Sequence, residues 1–373
     1  MRITWLGHVA SARANGIVTY SSELVAGLRQ RGHAVTFFYH ISRERGLGQR
    51  DPNGIRIGSF DILNRAMLSS PQARQMIEEV VEQKQIDVAH ISLSFSQLDF
   101  SLPDICHALG IPAVATLHFP YGPPETFWGS AVRLLYRAYS GSLKNYDAVI
   151  VFSEKQGELL VNYGVAPERV RVIPNGIDVV KYSPGPSDYK ESIGASVLTA
   201  YIGRMDPEKN VGDFLKAIHE LDLPRDHKAV VVGNGMDLSR LRRKYHDDRR
   251  IIFTGYVSDW RERRRILRAA DIFVLPSSIE GLAQAMLEAM ATGTAVIATD
   301  VGADAEALHG AGIVIDLAAM EAQLPLALRT LIEYPDFRRD LAVRARQRAV
   351  THYSLETNID RVVDLYRDLT KRK

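Results

Sequence analysis

Short apolar runs alternate with amphipathic stretches along almost the whole of this chain, and that alternation leaves few folds open to it. The runs lie near 3–6, 34–38, 88–91, 113–117, 148–152 and 170–173, and again near 197–202, 229–232, 251–254, 272–275, 295–298 and 312–315. Strands covered by helices on both faces read as nearly continuous Val, Ile, Leu and Ala, so the pattern predicts an α/β protein with parallel sheets. The two series are comparable, and 373 residues exceed the roughly 250–300 at which a single core stops growing. Two comparable α/β domains are therefore expected.

Between the series stands Tyr182-Ser183-Pro184-Gly185-Pro186-Ser187-Asp188, rich in residues that break helix and strand alike. It puts the linker near 180–195, with domains at 1–180 and 196–350. The tail, 351–373, reads as a helix whose apolar face carries Leu355, Ile359, Val362, Val363, Tyr366 and Leu369.

Charge and cysteine content narrow the function. The chain has 46 basic against 44 acidic residues, which argues against a general polyanion or nucleic-acid binder. Its one cysteine, Cys106, excludes an intrachain disulfide and gives no metal-ligand spacing, which fits a reducing compartment. Met1-Arg2 leads straight into the first strand without a signal-peptide core, and no apolar run approaches the length of a membrane span. A cytoplasmic location is expected.

Two segments some eighty residues apart carry most of the chemistry: Gly203-Arg204-Met205-Asp206-Pro207-Glu208-Lys209-Asn210, and Glu280-Gly281-Leu282-Ala283 running on to Glu288. Each follows an apolar run, at the carboxyl end of a strand, where open parallel sheets bind ligands. Arginine forks onto two phosphate oxygens and lysine acts as a mobile point charge, so Arg204 and Lys209 suit a diphosphate. A helix starting at Gly281 would aim free amides and its positive dipole end at the same ligand. Glu288 would sit about two turns further in, roughly 80° around from Glu280 if both were helical, so the two carboxylates serve different parts of one ligand.

Glu280 and Glu288 at this spacing, with Gly203-Arg204…Lys209 and Ile173-Pro174-Asn175-Gly176-Ile177-Asp178, resemble the retaining nucleotide-sugar glycosyltransferases of family 4. The resemblance spans nearly the whole chain and implies the GT-B fold: two Rossmann-like domains facing a central cleft, the final helix crossing back to brace the first domain. It further implies a hexosyltransferase acting with a nucleoside diphosphate sugar as donor, no cofactor and no metal. Arg204 and Lys209 would hold the diphosphate, Glu288 the ribose, and Glu280 with the amides of Gly281, Leu282 and Ala283 the sugar. His118, in a Thr-x-His context after a strand, would contact the donor sugar from the first domain.

Other glycines fit the same ligand. Gly16, in Asn15-Gly16 at the start of a helix, allows close backbone approach, although the family usually has two adjacent glycines there. Gly233-Asn234-Gly235 follows a strand but lacks the third glycine of a dinucleotide fingerprint, which disfavours a dehydrogenase. Gly233 reads instead as a close-approach loop, and the backbone around Gly255 as a contact for the base. The arginines at 261–268 read as a solvated face.

The expected reaction is transfer of a sugar, with retention, to a hydroxyl acceptor that is a glycan, a small molecule or a lipid. The alternatives are a sugar-nucleotide epimerase or hydrolase on the same fold, or a non-enzymatic sugar-nucleotide sensor. A helix over 127–144 would bring Arg133, Arg137 and Lys144 within roughly 40° of one another, opposite Trp128, Ala131, Leu135 and Tyr139. Such a stripe is either solvated or laid peripherally on an anionic membrane face.

Overall fold

A computed structural model describes residues 1–8, 16–42, 54–62, 66–70, 72–93, 96–122 and 127–371. The chain forms two compact units: Met1–Phe119 with Ala131–Gly176 and Glu356–Lys373, and Pro120–Ser130 with Ile177–Leu355.

The sheet of the first unit contains β1 (Arg2–His8), β2 (Ala34–Ser42), β3 (Gly54–Ile62), β4 (Ala66–Ser69), β5 (Val88–Ser92), β6 (Ala113–Thr116), β7 (Ala148–Val151) and β8 (Val170–Val172). Their order is β4-β3-β2-β1-β5-β6-β7-β8. All neighbours pair in parallel except β3 and β4, which are antiparallel. The central strands are apolar on both faces because helices cover both, and Val88, Val114 and Val149 have no exposed surface. β3 and β4 escape the sequence pattern for the opposite reason. Next to the edge strand β4, β3 alternates, with Ile57 buried and Arg56 and Gly58 exposed, so it shows no continuous apolar run.

The second unit has β9 (Val197–Ile202), β10 (His227–Val232), β11 (Ile251–Gly255), β12 (Ile272–Leu275), β13 (Ala295–Thr299) and β14 (Ile313–Ile315), in the all-parallel order β11-β10-β9-β12-β13-β14. The chain winds outward from β9 to β11, then returns to the other side of β9 with β12. The loops after β9 and β12 therefore diverge at a topological switch point, where such sheets open a ligand crevice.

The segment at 180–195 does not behave as a free linker. The unit boundary falls between Gly176 and Ile177, and the segment packs on the second unit. Arginines hold it there: Arg346 donates to the carbonyls of Val179 and Tyr182, Arg264 to that of Lys181, and Arg268 to that of Ser183.

The helix Leu355–Lys371 joins the first unit from Glu356 onward. A Cβ on Gly27 would fall 2.2 Å from the Ile359 Cδ1, so a side chain there would push the Ile359 tip off the helix Gly16–Gln30. Arg31 bridges Glu356 and Asp360 at 2.6 and 2.7 Å. Beneath it runs a buried polar chain, Tyr366 to His90 Nδ1, His90 Nε2 to Thr116 at 2.7 Å, and Thr116 to Tyr20 at 3.1 Å. Among the described residues no helix is long and apolar enough to cross a membrane.

Candidate functional site

The loop after β9 is built on contacts that tolerate no side chain. A Cβ on Gly233, at φ +138°, would fall 1.8 Å from the Gly203 carbonyl oxygen, and one on Gly235 would fall 2.5 Å from Met205 backbone atoms. Hydrogen bonds complete the stitching: Gly203 N–H to Val232, Met205 N–H to Asn234, and Gly233 N–H to the Gly255 carbonyl. Gly233 is therefore glycine because two loops pack backbone on backbone, a tighter requirement than approach to a ligand. Gly255, at φ +78°, ends β11 in the left-handed region that glycine enters most easily.

On this base the short turn Pro207–Lys209 ends at Asn210, itself left-handed at φ 48°. The Asn210 side-chain amide donates to the Pro276 carbonyl, and Ser278 N–H donates to the Glu208 carbonyl. These bonds bring the loops after β9 and β12 together at the switch point. The result is an ion pair between Lys209 Nζ and Glu280 Oε1 at 2.6 Å, with side chains 13 % and 14 % exposed. Ser277 Oγ adds a 2.8 Å bond to the same carboxylate oxygen.

Arg204 differs in kind. Its side chain is 63 % exposed, and its fork is met from within its own loop by Asp206 and by Glu208 at 3.0 Å. Asp206 is fixed in turn by the Met236 N–H at 3.0 Å. Arg204 thus faces solvent in a set orientation, and an incoming anion would compete with two carboxylates for it.

The helix expected from Gly281 begins three residues later, at Gln284. Glu280 instead forms a bridge with Tyr121, whose N–H donates to the Glu280 carbonyl at 2.9 Å. Gly302 lies so close beneath that a Cβ on it would meet the Glu280 carbonyl oxygen at 2.3 Å. The bend that follows leaves the N–H groups of Gly281 and Leu282 without an acceptor among the described residues. The Ala283 N–H is taken, at 2.9 Å, by the carboxyl of Asp304.

Asp304 is a residue that the sequence reading misses. Its side chain is fully buried, and its second oxygen has no hydrogen-bond partner. Burial pushes its pKa well above the usual carboxylate range, and the nearby Glu280 charge adds to the rise, while the Ala283 N–H and Lys209 oppose it. The signal available was positional: Asp304 follows Gly302 in the turn after a parallel strand. The sign of its linkage is fixed. Because the folded-state pKa is raised, the native state holds a proton that the unfolded chain releases above about pH 4, so stability falls as pH rises from there toward the folded pKa. Asp304→Asn removes this titration. The melting temperature of the variant relative to the unmodified chain is expected to increase as pH rises above the ordinary carboxylate range. A difference that stays flat with pH would mean Asp304 is ionised when folded.

Glu288, on the helix Gln284–Thr292, is buried. Arg263 approaches it at 3.5 Å, and both bond the Tyr182 hydroxyl. Burial raises the Glu288 pKa, against the lowering pull of Arg263, Tyr182 and Lys181. Neither Tyr182 nor Arg263 was singled out from sequence, since one sits in a linker-like stretch and the other in a basic run. Glu280 and Glu288 have no bond in common, but the helical offset expected between them does not apply, because Glu280 precedes the helix.

In the first unit, His118 is half-buried after β6, with Nε2 2.6 Å from Ser92 Oγ and its ring set edge-on to Tyr20 and Phe152. Gly16 opens the helix Gly16–Gln30, and a Cβ there would meet nothing within 4 Å. Nothing among the described residues requires that glycine. Asn15 lies outside the described residues. No group of three or more His, Cys, Asp or Glu able to hold a metal occurs among the described residues.

Two parallel-sheet units, each with loops diverging at a switch point, are the arrangement of the GT-B fold. HepE of Anabaena, solved in complex with UDP, superposes with a TM-score of 0.78 at 17% identity, covering 99% of this chain and 100% of that one. The family model described as Glycosyltransferase Family 4 matches residues 14–181, and the one described as Glycosyl transferases group 1 matches residues 197–333. The chain belongs to the family 4 glycosyltransferases.

Among curated relatives, the alpha-maltose-1-phosphate synthase of Mycolicibacterium smegmatis is 29% identical over 60% of this chain and 64% of its own length. The alpha-monoglucosyldiacylglycerol synthase of Streptococcus pneumoniae is 29% identical over 80% of this chain and 71% of its own length. The chain spans under two thirds of the length of the mycolicibacterial synthase, 64%, and 57% of the UDP-Gal:alpha-D-GlcNAc-diphosphoundecaprenol alpha-1,3-galactosyltransferase of Escherichia coli, which is 30% identical over 56% of this chain.

Proposed function

We propose that this protein transfers a hexosyl group, with retention, from a nucleoside diphosphate sugar to a hydroxyl acceptor. The observation that carries the reading is the Lys209–Glu280 pair at the switch point, beside Arg204 and the acceptor-free amides of Gly281 and Leu282. Cations and amides there match the charge of a departing diphosphate, and Glu280, paired to Lys209, would meet the sugar joined to that diphosphate. The UDP held by HepE and the names of the relatives support the same reading.

The chemistry is electrostatic. The donor's glycosidic carbon–oxygen bond to the diphosphate breaks as the acceptor oxygen bonds to the same face of that carbon, and the acceptor proton passes to the diphosphate. Arg204, Lys209 and the loop amides hold the charge left on the phosphate, which makes a metal unnecessary to the proposal. Glu288 binds the ribose, and His118 contacts the sugar.

Donor consumption with and without a mixed acceptor pool tests this. Acceptor-dependent consumption is expected. Turnover indifferent to acceptor would assign an epimerase or hydrolase, and binding without turnover a sensor.

A lipid acceptor is part of the proposal, supported by the diacylglycerol in the pneumococcal relative's name. On the helix Phe127–Leu143, Arg133 and Arg137 are exposed, as is Lys144 just beyond it, and Leu134 is 70 % exposed beside them, whereas Tyr139 is buried. Ala131, expected on the covered face, is exposed; the Trp128 side chain lies outside the described ones. Binding to anionic vesicles is expected to weaken with salt and to drop when Arg133, Arg137 and Lys144 become glutamine, with activity on a soluble acceptor unchanged. Indifference to such vesicles at low salt would assign a soluble acceptor.

A further inference from the structure

The basic run at 261–268 reads from sequence as a solvated face, but the structure half-buries Arg263, Arg264, Arg265 and Arg268. Asp259 caps the helix Trp260–Ala269 by accepting the Arg261 N–H, and Ile266, Leu267 and Ala269 face the core. The remaining faces are left to arginine. Arg261, Arg264, Arg265 and Arg268 line an open surface cavity of about 440 Å³, together with Pro186, Ser187, Asp188 and Glu191. That volume falls in the range of small-molecule sites.

These side chains are held in place. Arg261 and Arg264 each lie over the Trp260 ring at 4.8 Å, and Arg265 lies over Tyr189 at 5.1 Å. Arg268 donates to the carbonyl and hydroxyl of Ser183, with its guanidinium carbon 2.9 Å from where a Cβ on Gly185 would sit. A side chain at 185 would displace it. The cations are also incompletely neutralised. Arg265 takes Asp188 at 2.6 Å and Glu262 at 3.0 Å, and Arg261 reaches Asp259 only at 3.9 Å. Arg264 and Arg268 have no carboxylate within ion-pair distance among the described residues.

We propose that this cavity binds a phosphate-bearing group at a site sharing no residue with the Lys209–Glu280 pair. Several guanidinium forks on one wall match the many oxygens of a phosphate ester or diphosphate, and lost side-chain entropy is small because the aromatic rings already order them. A bound ligand would tie the 183–188 segment to this helix, which also presents Arg263 to Glu288 and Tyr182.

Inorganic pyrophosphate titrated calorimetrically at low salt tests the site. The unmodified chain is expected to take up one pyrophosphate more than the R264Q/R268Q variant, whatever binds near Lys209, so the result does not depend on the glycosyl-transfer reading. R261Q, whose side chain is 70 % exposed and holds no part of the 183–188 segment, is expected to weaken the same event at least several-fold without changing the melting temperature. It keeps the test intact should the double variant unfold. Flotation with phosphatidylcholine vesicles, with and without phosphatidylglycerol, separates the sources. Phosphatidylglycerol-dependent binding that R264Q/R268Q or R261Q removes assigns a lipid headgroup, and pyrophosphate binding alone assigns a soluble phosphate ester. Equal stoichiometry and affinity in the unmodified chain and both variants, with no vesicle binding that they alter, overturns the proposal.

Discussion

Lys209→Ala is expected to lower kcat/KM by roughly 10- to 150-fold, the effect of about 1.5–3 kcal/mol for a hydrogen bond to a charged group. Stability should fall as well, by about 2–3 kcal/mol, because the change leaves the largely buried Glu280 carboxylate with Ser277 as its remaining side-chain partner. Arg204→Ala is the informative comparison. Its side chain is 63 % exposed, so it should reduce kcat/KM by a similar factor while leaving the melting temperature within about a degree or two. Steady-state kinetics and chemical denaturation of both variants separate the roles. Glu280→Gln, combined with Lys209→Ala in a double-mutant cycle, should show strong coupling, with the glutamine lowering kcat more than donor affinity. Near-normal kinetics in a folded Arg204→Ala, Lys209→Ala double variant would remove the diphosphate assignment.

Glu288→Ala should act on the other half of the donor. It strands Arg263 with the Tyr182 hydroxyl, at a cost of about 2 kcal/mol in stability, less than a fully buried pair because the Arg263 side chain is 29 % exposed. Donor affinity should weaken by roughly tenfold or more, with kcat at saturating donor nearly unchanged. Glu288→Gln keeps the volume and should recover most of the stability but little of the affinity. Nucleoside diphosphate binding measured on both variants decides the point: if the glutamine variant binds as the unmodified chain does, Glu288 is a structural partner of Arg263 and nothing more.

The parts of this fold that sequence reveals are those buried on two sides. β9 and β12 carry apolar side chains toward helices on both faces, and their expected bounds, 197–202 and 272–275, match the observed ones. β3 has only one covered face and half the signal, and β4 is a four-residue edge strand paired antiparallel. In the site, Arg204, Lys209, Glu280 and Glu288 are visible because charge placed just after an apolar run, or within an apolar helix, is conspicuous. Their partners are not. Asp304 meets Ala283 across twenty-one positions, and Arg263 meets Glu288 from a neighbouring helix, so neither pairing leaves a local spacing to read. The start of the helix Gln284–Thr292 is displaced from its expected position for a related reason. The bridge from Tyr121, far back in the chain, holds Glu280 extended against the helical preference of the residues beyond it.

The first unit is sewn shut by Glu356–Lys373, although its preceding piece ends at Gly176. During synthesis the ribosome makes the bulk of the second unit in that gap, some 180 residues, which takes on the order of ten seconds or more. Until then His90 waits without the Tyr366 hydroxyl, and the helix Gly16–Gln30 without Ile359 over Gly27. The second unit closes on residues from 120 to 355 and can complete itself first. The first unit is thus the last to mature, so a nascent polypeptide stalled short of Glu356 would leave His90 and the Gly27 face of the helix Gly16–Gln30 open to chaperones and proteases.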